Sequence, residues 1–120
     1  MNTQTITLAQ LATACQNAAY INVHLYTPAM SSLSTFKPDQ IRFLSASTGV
    51  PLLRFQSKTS TIVLQALSIQ AAVTPSTPGN EIPFGRCTYS YTTYDFVLDG
   101  VNYSVNIFQK TRNLLLTSCK

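Results

Sequence analysis

The sequence predicts an α+β fold in a single domain, residues 1–120, with an antiparallel sheet of about five or six strands and two helices packed on one face. Three observations indicate this fold. A capped, amphipathic segment follows Thr7, an apolar segment of helical length spans residues 59–73, and two β-rich runs flank Asp99-Gly100. A chain of 120 residues can bury roughly two-thirds of its unfolded surface, which is enough for one hydrophobic core.

The first helix is predicted from its cap and its apolar stripe. Thr7 and Gln10 have the spacing of a capping box, in which each side chain bonds the backbone of the other residue. Apolar residues then recur every three or four positions, as in a helix with one buried face. The helix is expected to end near residues 17–20. Alternation of apolar and polar residues over 20–26 predicts a strand with one buried face, which Pro28 should end.

The middle of the chain is predicted to hold a loop, a hairpin and a second helix. Residues 27–39, rich in Ser and Thr, are expected to form the loop. Ile41–Ser47 and Leu52–Ser57 are expected to be strands joined by a short turn. Residues 59–73 fit either a helix or a strand with a polar break, and their length and alanine content favour the helix. Residues 74–85, which contain three prolines, should be a loop.

The strongest local signal is Asp99-Gly100 between two β-rich runs, residues 87–98 and 101–110. A two-residue loop of this kind prefers a type I′ turn, whose twist matches that of the flanking strands. The turn sets the register, and one face of the hairpin then carries mostly apolar residues that should pack on a helix. That face pairs Leu98, Phe96, Tyr94 and Thr92 with Val101, Tyr103, Val105 and Ile107, respectively. Residues 114–117 are expected to add an edge strand.

Composition and charge exclude several classes of function. Charged residues make up 10% of the chain, against a usual share of about 25%. Four acidic residues are too few for a nucleic-acid mimic, and a net charge of +4 suits either an ordinary soluble surface or attraction to an anionic partner. Neither a signal-peptide pattern nor an apolar run of about 20 residues is visible. We therefore expect a soluble, cytoplasmic protein with no membrane partner.

Patterns for catalysis and metal binding are sparse. Cys15, Cys87 and Cys119 form no C-x-x-C motif and are expected to be reduced thiols, although a disulfide between the last two stays open. His24 has no predicted partner that would position it as a base. The glycines of a phosphate-binding loop are missing before Lys58. The sequence thus predicts a non-enzymatic protein without a cofactor or a metal site.

One face of the second hairpin combines aromatic and basic residues. The register places Tyr89 and Tyr91 on one strand across from Phe108, Lys110 and Arg112 on the other. Aromatic rings beside cations are typical of platforms on which nucleic-acid bases stack, and Tyr and Arg are also enriched at protein interfaces. The alternative is that the N-terminal helix or the proline-containing loop covers this face and that the two cations reach past it to water.

A second basic cluster surrounds the first hairpin, at Arg42, Arg54 and Lys58, and would join the first cluster if both hairpins shared a sheet. The leading interpretation is a small binding protein, an inhibitor or adaptor. It would occupy a surface of a larger protein or nucleoprotein partner through the basic, aromatic hairpin face. One alternative is direct binding of single-stranded nucleic acid or a nucleotide. Another is a structural subunit of a homo-oligomer that packs through residues 20–26, since interface cores are depleted of charge.

Overall fold

The computed structural model shows a mostly-β protein with two antiparallel sheets around a shared core. It describes residues 3–45, 49–75, 82–84 and 87–113, without the side chains of 82–84, 87 and 111–113. This part of the chain contains ten strands, one α-helix and a 3-10 helix. In chain order they are β1 (Thr3–Thr7), α1 (Leu8–Gln16), β2 (Tyr20–Tyr26), β3 (Ser31–Phe36), the 3-10 helix (Pro38–Gln40), β4 (Ile41–Ser45), β5 (Pro51–Gln56), β6 (Thr61–Gln65), β7 (Ser68–Pro75), β8 (Ile82–Phe84), β9 (Cys87–Leu98) and β10 (Val101–Asn113).

The strands form a large sheet and a small sheet, both antiparallel. The large sheet has the order β1-β7-β9-β10-β2-β3, and β8 also pairs with β9. The small sheet has the order β4-β5-β6. The predicted fold class, an α+β fold with two helices packed on one face of a single sheet, is therefore wrong. The described chain contains one α-helix, and a second sheet lies where the second helix was expected.

The error lies mainly in residues 59–73, which form β6 and most of β7 rather than a helix. Ile62 and Leu64 are buried in the small sheet, whereas Ile69 and Ala71 are buried in the large one. Each pair alternates with exposed residues, but the break between the strands shifts the alternation by one position. Two alternating runs that are out of phase imitate helical spacing, which is why the pattern favoured a helix.

Three further strands lie where the sequence predicted none or a loop. β1 precedes the first helix and pairs with β7. Residues 27–39 include β3, whose residues are mostly polar and which is anchored by the fully buried Phe36. The predicted loop over 74–85 contains β8 and the end of β7, while its residues 76–81 and 85 lie outside the described part. The edge strand predicted at residues 114–117 also lies outside it.

The first helix, the strand at 20–26 and the two hairpins are confirmed. The capping box is present: the Gln10 amide donates to Thr7 Oγ1 at 3.1 Å, and the Thr7 amide donates to Gln10 Oε1 at 2.9 Å. The strand at 20–26 and both hairpins form, and the predicted pairs of the β9–β10 hairpin are in register from Leu98–Val101 to Tyr89–Lys110, beyond which a register shift places Arg112 opposite Thr88. Asp99 and Gly100 have φ values of 52° and 78°, as a type I′ turn requires.

One buried cluster joins the helix, the small sheet and one face of the large sheet. We call that face of the large sheet the inner face and the opposite one the outer face. On α1 the cluster includes Leu8, Leu11 and Cys15, and on the small sheet it includes Leu53 and Phe55. Within the described chain, no helix is long and apolar enough to cross a membrane.

Candidate functional site

The outer face of the large sheet presents rows of side chains that run across β9, β10, β2 and β3. Directly paired residues of antiparallel strands share a face, so the register assigns each row. From the Asp99-Gly100 turn onward the rows are Val97–Asn102–Tyr26–Ser31, Asp95–Ser104–His24–Leu33, Thr93–Asn106–Asn22–Thr35 and Tyr91–Phe108–Tyr20.

At the end of the sheet far from that turn lies the aromatic cluster, defined as Tyr20, Tyr89, Tyr91 and Phe108. Tyr20 stacks on Phe108, with ring centroids 4.4 Å apart and planes at 10°, and meets Tyr89 edge-on at 5.6 Å. Tyr91 lies 5.3 Å from Phe108. Tyr89 and Phe108 are only 5% and 7% exposed, so these two rings mainly contact their neighbours. Desolvation, with a smaller contribution from Tyr89, raises the pKa of the Tyr20 phenol.

The structure brings together three of the predicted aromatic residues and one predicted cation. Lys110 is exposed and pairs with Tyr89 across β9 and β10. Arg112 pairs through its backbone with Thr88, after a register shift that follows Lys110, and its side chain lies outside the described part. Whether this basic, aromatic end binds a partner stays a prediction.

Two asparagines occupy the middle of the next row. Thr93 Oγ1 donates to Asn106 Oδ1 at 2.6 Å, and Thr35 Oγ1 donates to Asn22 Oδ1 at 2.8 Å. Because both amide oxygens are engaged, the amide nitrogens are the ends of these side chains that can donate to a partner. A depression of about 370 Å³ lies beside them, lined by Tyr20, Asn22, Thr35 and Tyr89.

The two rows nearest the Asp99-Gly100 turn expose apolar side chains. Tyr26, Leu33 and Val97 are 39%, 65% and 61% exposed. Besides the Tyr26 phenol, the ionisable residues of these rows are Asp95 and His24, and His24 Nε2 lies 2.9 Å from Ser31 Oγ. This part of the outer face therefore combines exposed apolar side chains with few charged groups.

The second predicted cluster lies on the other sheet. Arg42 and Arg54 are directly paired between β4 and β5, whereas Lys58 lies in the turn between β5 and β6, which the Ser57 amide closes by donating to Ser60 O at 2.8 Å. We expected the two basic clusters to join if both hairpins shared a sheet. The two hairpins belong to different sheets, so this condition is not met.

The predicted homo-oligomer segment, residues 20–26, is an internal strand of the large sheet. β2 pairs with β10 on one side and with β3 on the other, so its backbone is already hydrogen-bonded along both edges. Only its outer-face side chains remain for contact with a second copy, and self-association through them stays a prediction.

Sequence reasoning did not include Tyr20, Asn22 and Asn106 in the site. The alternation of residues 20–26 and the hairpin register each show which face these side chains occupy. The sequence gives no local signal for the pairing of β2 with β10, which joins residues 76 to 88 positions apart.

Within its described part, the chain contains no group of three or more His, Cys, Asp or Glu residues that could hold a metal ion. Cys15 is a free, buried thiol. The side chain of Cys87 and all of Cys119 lie outside the described part of the chain.

No protein-family model matches the chain, and none of the curated proteins matches its sequence.

Proposed function

We propose that the protein is a non-enzymatic binding protein that contacts a larger protein partner through the outer face of the large sheet. The observation that carries the proposal is the exposure of Tyr26, Leu33 and Val97 together on this regular face. Exposed apolar groups gathered on one surface and bordered by polar residues are typical of sites that contact other proteins.

The charge distribution favours a protein partner over a nucleic acid. The described outer face carries Lys110 beside the aromatic cluster, with Asp95 and His24 nearer the turn. Affinity for nucleic acid depends on several Lys or Arg residues that neutralise phosphates, and Arg42 and Arg54 lie on the other sheet. Protein interface cores, by contrast, are depleted of charge and enriched in Tyr and Phe.

The aromatic cluster and the amide row supply the rest of such a surface. The stacked Tyr20 and Phe108 rings hold one end of the face in a fixed shape, which lowers the entropy cost of binding. The amide nitrogens of Asn22 and Asn106 offer directional hydrogen bonds to a partner's carbonyl groups. Lys110 at the border would affect the rate of association more than its strength.

Charge-introducing variants of the exposed apolar residues test this surface. Leu33→Lys and Val97→Lys place a cation in the proposed contact. Leu67→Lys is the matched control, because Leu67 is 68% exposed and lies between β6 and β7, away from the outer-face rows. Each tagged protein is incubated with an extract of its native host, and retained proteins are quantified by mass spectrometry. We expect the outer-face variants to retain at least about tenfold less partner, equivalent to about 1.4 kcal/mol, and the control to match the unmodified protein.

Three results would contradict the proposal. The outer face is not the site if both outer-face variants retain the same proteins as the unmodified chain. Loss of the partner after nuclease treatment would show that nucleic acid mediates the contact. A dimer of the unmodified chain in light scattering that Val97→Lys converts to a monomer would identify the partner as a second copy.

A further inference from the structure

The outward face of the small sheet places two arginines side by side. Leu53 and Phe55 are buried, so Arg54 between them points away from the core. Arg42 is its direct partner on β4 and therefore lies on the same face. Like charges directly opposite each other in a sheet are unfavourable, so this arrangement calls for a compensating group.

The protein does not supply that group within its described residues. Neither Arg42 nor Arg54 forms an ion pair or a side-chain hydrogen bond there, and Arg54 Nε is buried with no acceptor. A buried donor without a partner is rare in folded proteins. Two guanidinium groups, each with five N–H donors, thus lie on one face without an acceptor among the described residues.

The arginines line a depression of about 260 Å³ together with Asp39, Gln40 and Gln56. Gln40 Oε1 already accepts from the Lys37 amide at 2.9 Å, so its amide nitrogen is the end that can donate to a ligand. Asp39 is the one acidic residue of this lining and forms no ion pair with either arginine. The lining therefore keeps a positive charge and an excess of donors.

We propose that this depression binds a phosphate monoester group between Arg42 and Arg54. The planar guanidinium matches the oxygen geometry of phosphate and can bind it through two parallel hydrogen bonds. A phosphate monoester carries a charge of about −1.5 to −2 at neutral pH. Because neither arginine is paired with Asp39, such a group can compensate both guanidinium groups, whereas a singly charged carboxylate or phosphodiester compensates one. The site lies on a different sheet from the proposed protein-binding face and does not depend on it.

Inorganic phosphate is the first probe, titrated at constant ionic strength and followed by NMR of the Arg Nε–H and Gln side-chain amides. We expect saturable shifts at Arg54, Gln40 and Gln56. Arg42→Gln and Arg54→Gln should each weaken binding at least about tenfold. Lys58→Gln is the matched control, since it removes the same charge outside the depression, and it should change the affinity less than about twofold.

Several outcomes would overturn this site. Equal loss of affinity in Lys58→Gln and Arg54→Gln would show that only the net charge matters. Dimethyl phosphate binding as tightly as inorganic phosphate would contradict a preference for a doubly charged group. Backbone chemical shifts of the β9–β10 hairpin that match those of the unmodified protein show that a variant is folded. If Arg54→Gln does not fold, the exposed Arg42 carries the test.

Two phosphate monoesters distinguish the sources of the ligand. O-phosphoserine represents a phosphorylated protein, and adenosine 5′-monophosphate represents a nucleotide. Binding of one of them at least as tight as that of inorganic phosphate supports the proposal and shows which kind of molecule carries the group. Failure of both to bind would overturn the assignment to a monoester.

Discussion

At the scale of a residue, burial decides the chemistry of Cys15. Its side chain is fully buried in the shared core, and desolvation raises the pKa of its thiol from 9.0 to about 12. The thiolate is the form of cysteine that reacts and that binds metals. Cys15 is therefore a packing residue of the helix rather than a nucleophile.

This shift predicts a specific dependence of stability on pH. The unfolded thiol loses its proton near its ordinary pKa of 9.0, whereas the folded thiol keeps it up to about pH 12. The unfolded state then binds fewer protons, so the stability contributed by the neutral thiol is complete below pH 9.0 and is lost between these two values. Over this range the free energy of unfolding falls by about 1.4 kcal/mol per pH unit.

Cys15→Ala isolates this effect from the other groups that titrate in alkali. We expect the unmodified protein to be more stable than the variant at neutral pH, and this difference to shrink as the pH rises above 9.0. Urea unfolding at a series of pH values measures it. A constant difference across that range would show that the thiol is not protected by burial.

At the scale of an element, the β9–β10 hairpin depends on its turn. Gly100 has a φ of 78°, a conformation that residues with a Cβ rarely adopt. A Cβ added there would meet no atom within 4 Å, so the cost of a substitution comes from the backbone alone. We expect Gly100→Val to lower the free energy of unfolding by about 1–3 kcal/mol.

Gly100→Asn is the matched control, because Asn tolerates the left-handed region better than other residues with a Cβ. Thermal unfolding of both variants tests the turn, and the Asn variant should keep most of the stability. Equal melting temperatures for the Val variant and the unmodified chain would contradict the type I′ assignment.

Capping and turn signals predicted their own elements well, whereas apolar periodicity predicted the wrong element over residues 59–73 and the packing between elements was predicted poorly. A capping box and a two-residue turn act within a few positions, so α1 and the β9–β10 register follow directly from the sequence. The strands β6 and β7 separate into different sheets after Gln65, and the polar break at this residue does not show that the two strands join different sheets. The edge strand β3 is stabilised by backbone pairing with β2. Because its residues are mostly polar, its sequence shows almost no apolar alternation that would predict a strand.

The same limit applies to the candidate site. Tyr89, Tyr91 and Phe108 are brought together by the hairpin register and could be grouped from the sequence. Tyr20 packs on Tyr89 and Phe108 because β2 pairs with β10, a contact between residues distant in the chain. Long-range pairing therefore determines which of the predicted rings remain available for binding.

At the scale of the whole molecule, the two sheets divide the surface into faces of different charge. The outer face of the large sheet is rich in apolar and amide groups, whereas the outward face of the small sheet carries Arg42 and Arg54. Both sheets nevertheless share one core, in which Phe36 of β3 lies against Phe55 of β5 with ring centroids 5.5 Å apart. The two proposed binding faces thus belong to one packed unit.

A shared core predicts that both sheets unfold together. Phe55→Ala removes a fully buried ring from the contact between the sheets and should cost about 3–5 kcal/mol. Phe43→Ala is the matched control, since Phe43 lies on β4 of the same small sheet but is 37% exposed, and it should cost about 1 kcal/mol or less. Native-state hydrogen exchange of Phe55→Ala should show amides of β5 and of β10 losing protection by the same free energy, as in one cooperative transition. If β5 loses protection while β10 keeps that of the unmodified protein, the sheets are independent units, and the contact between Phe36 and Phe55 does not couple them.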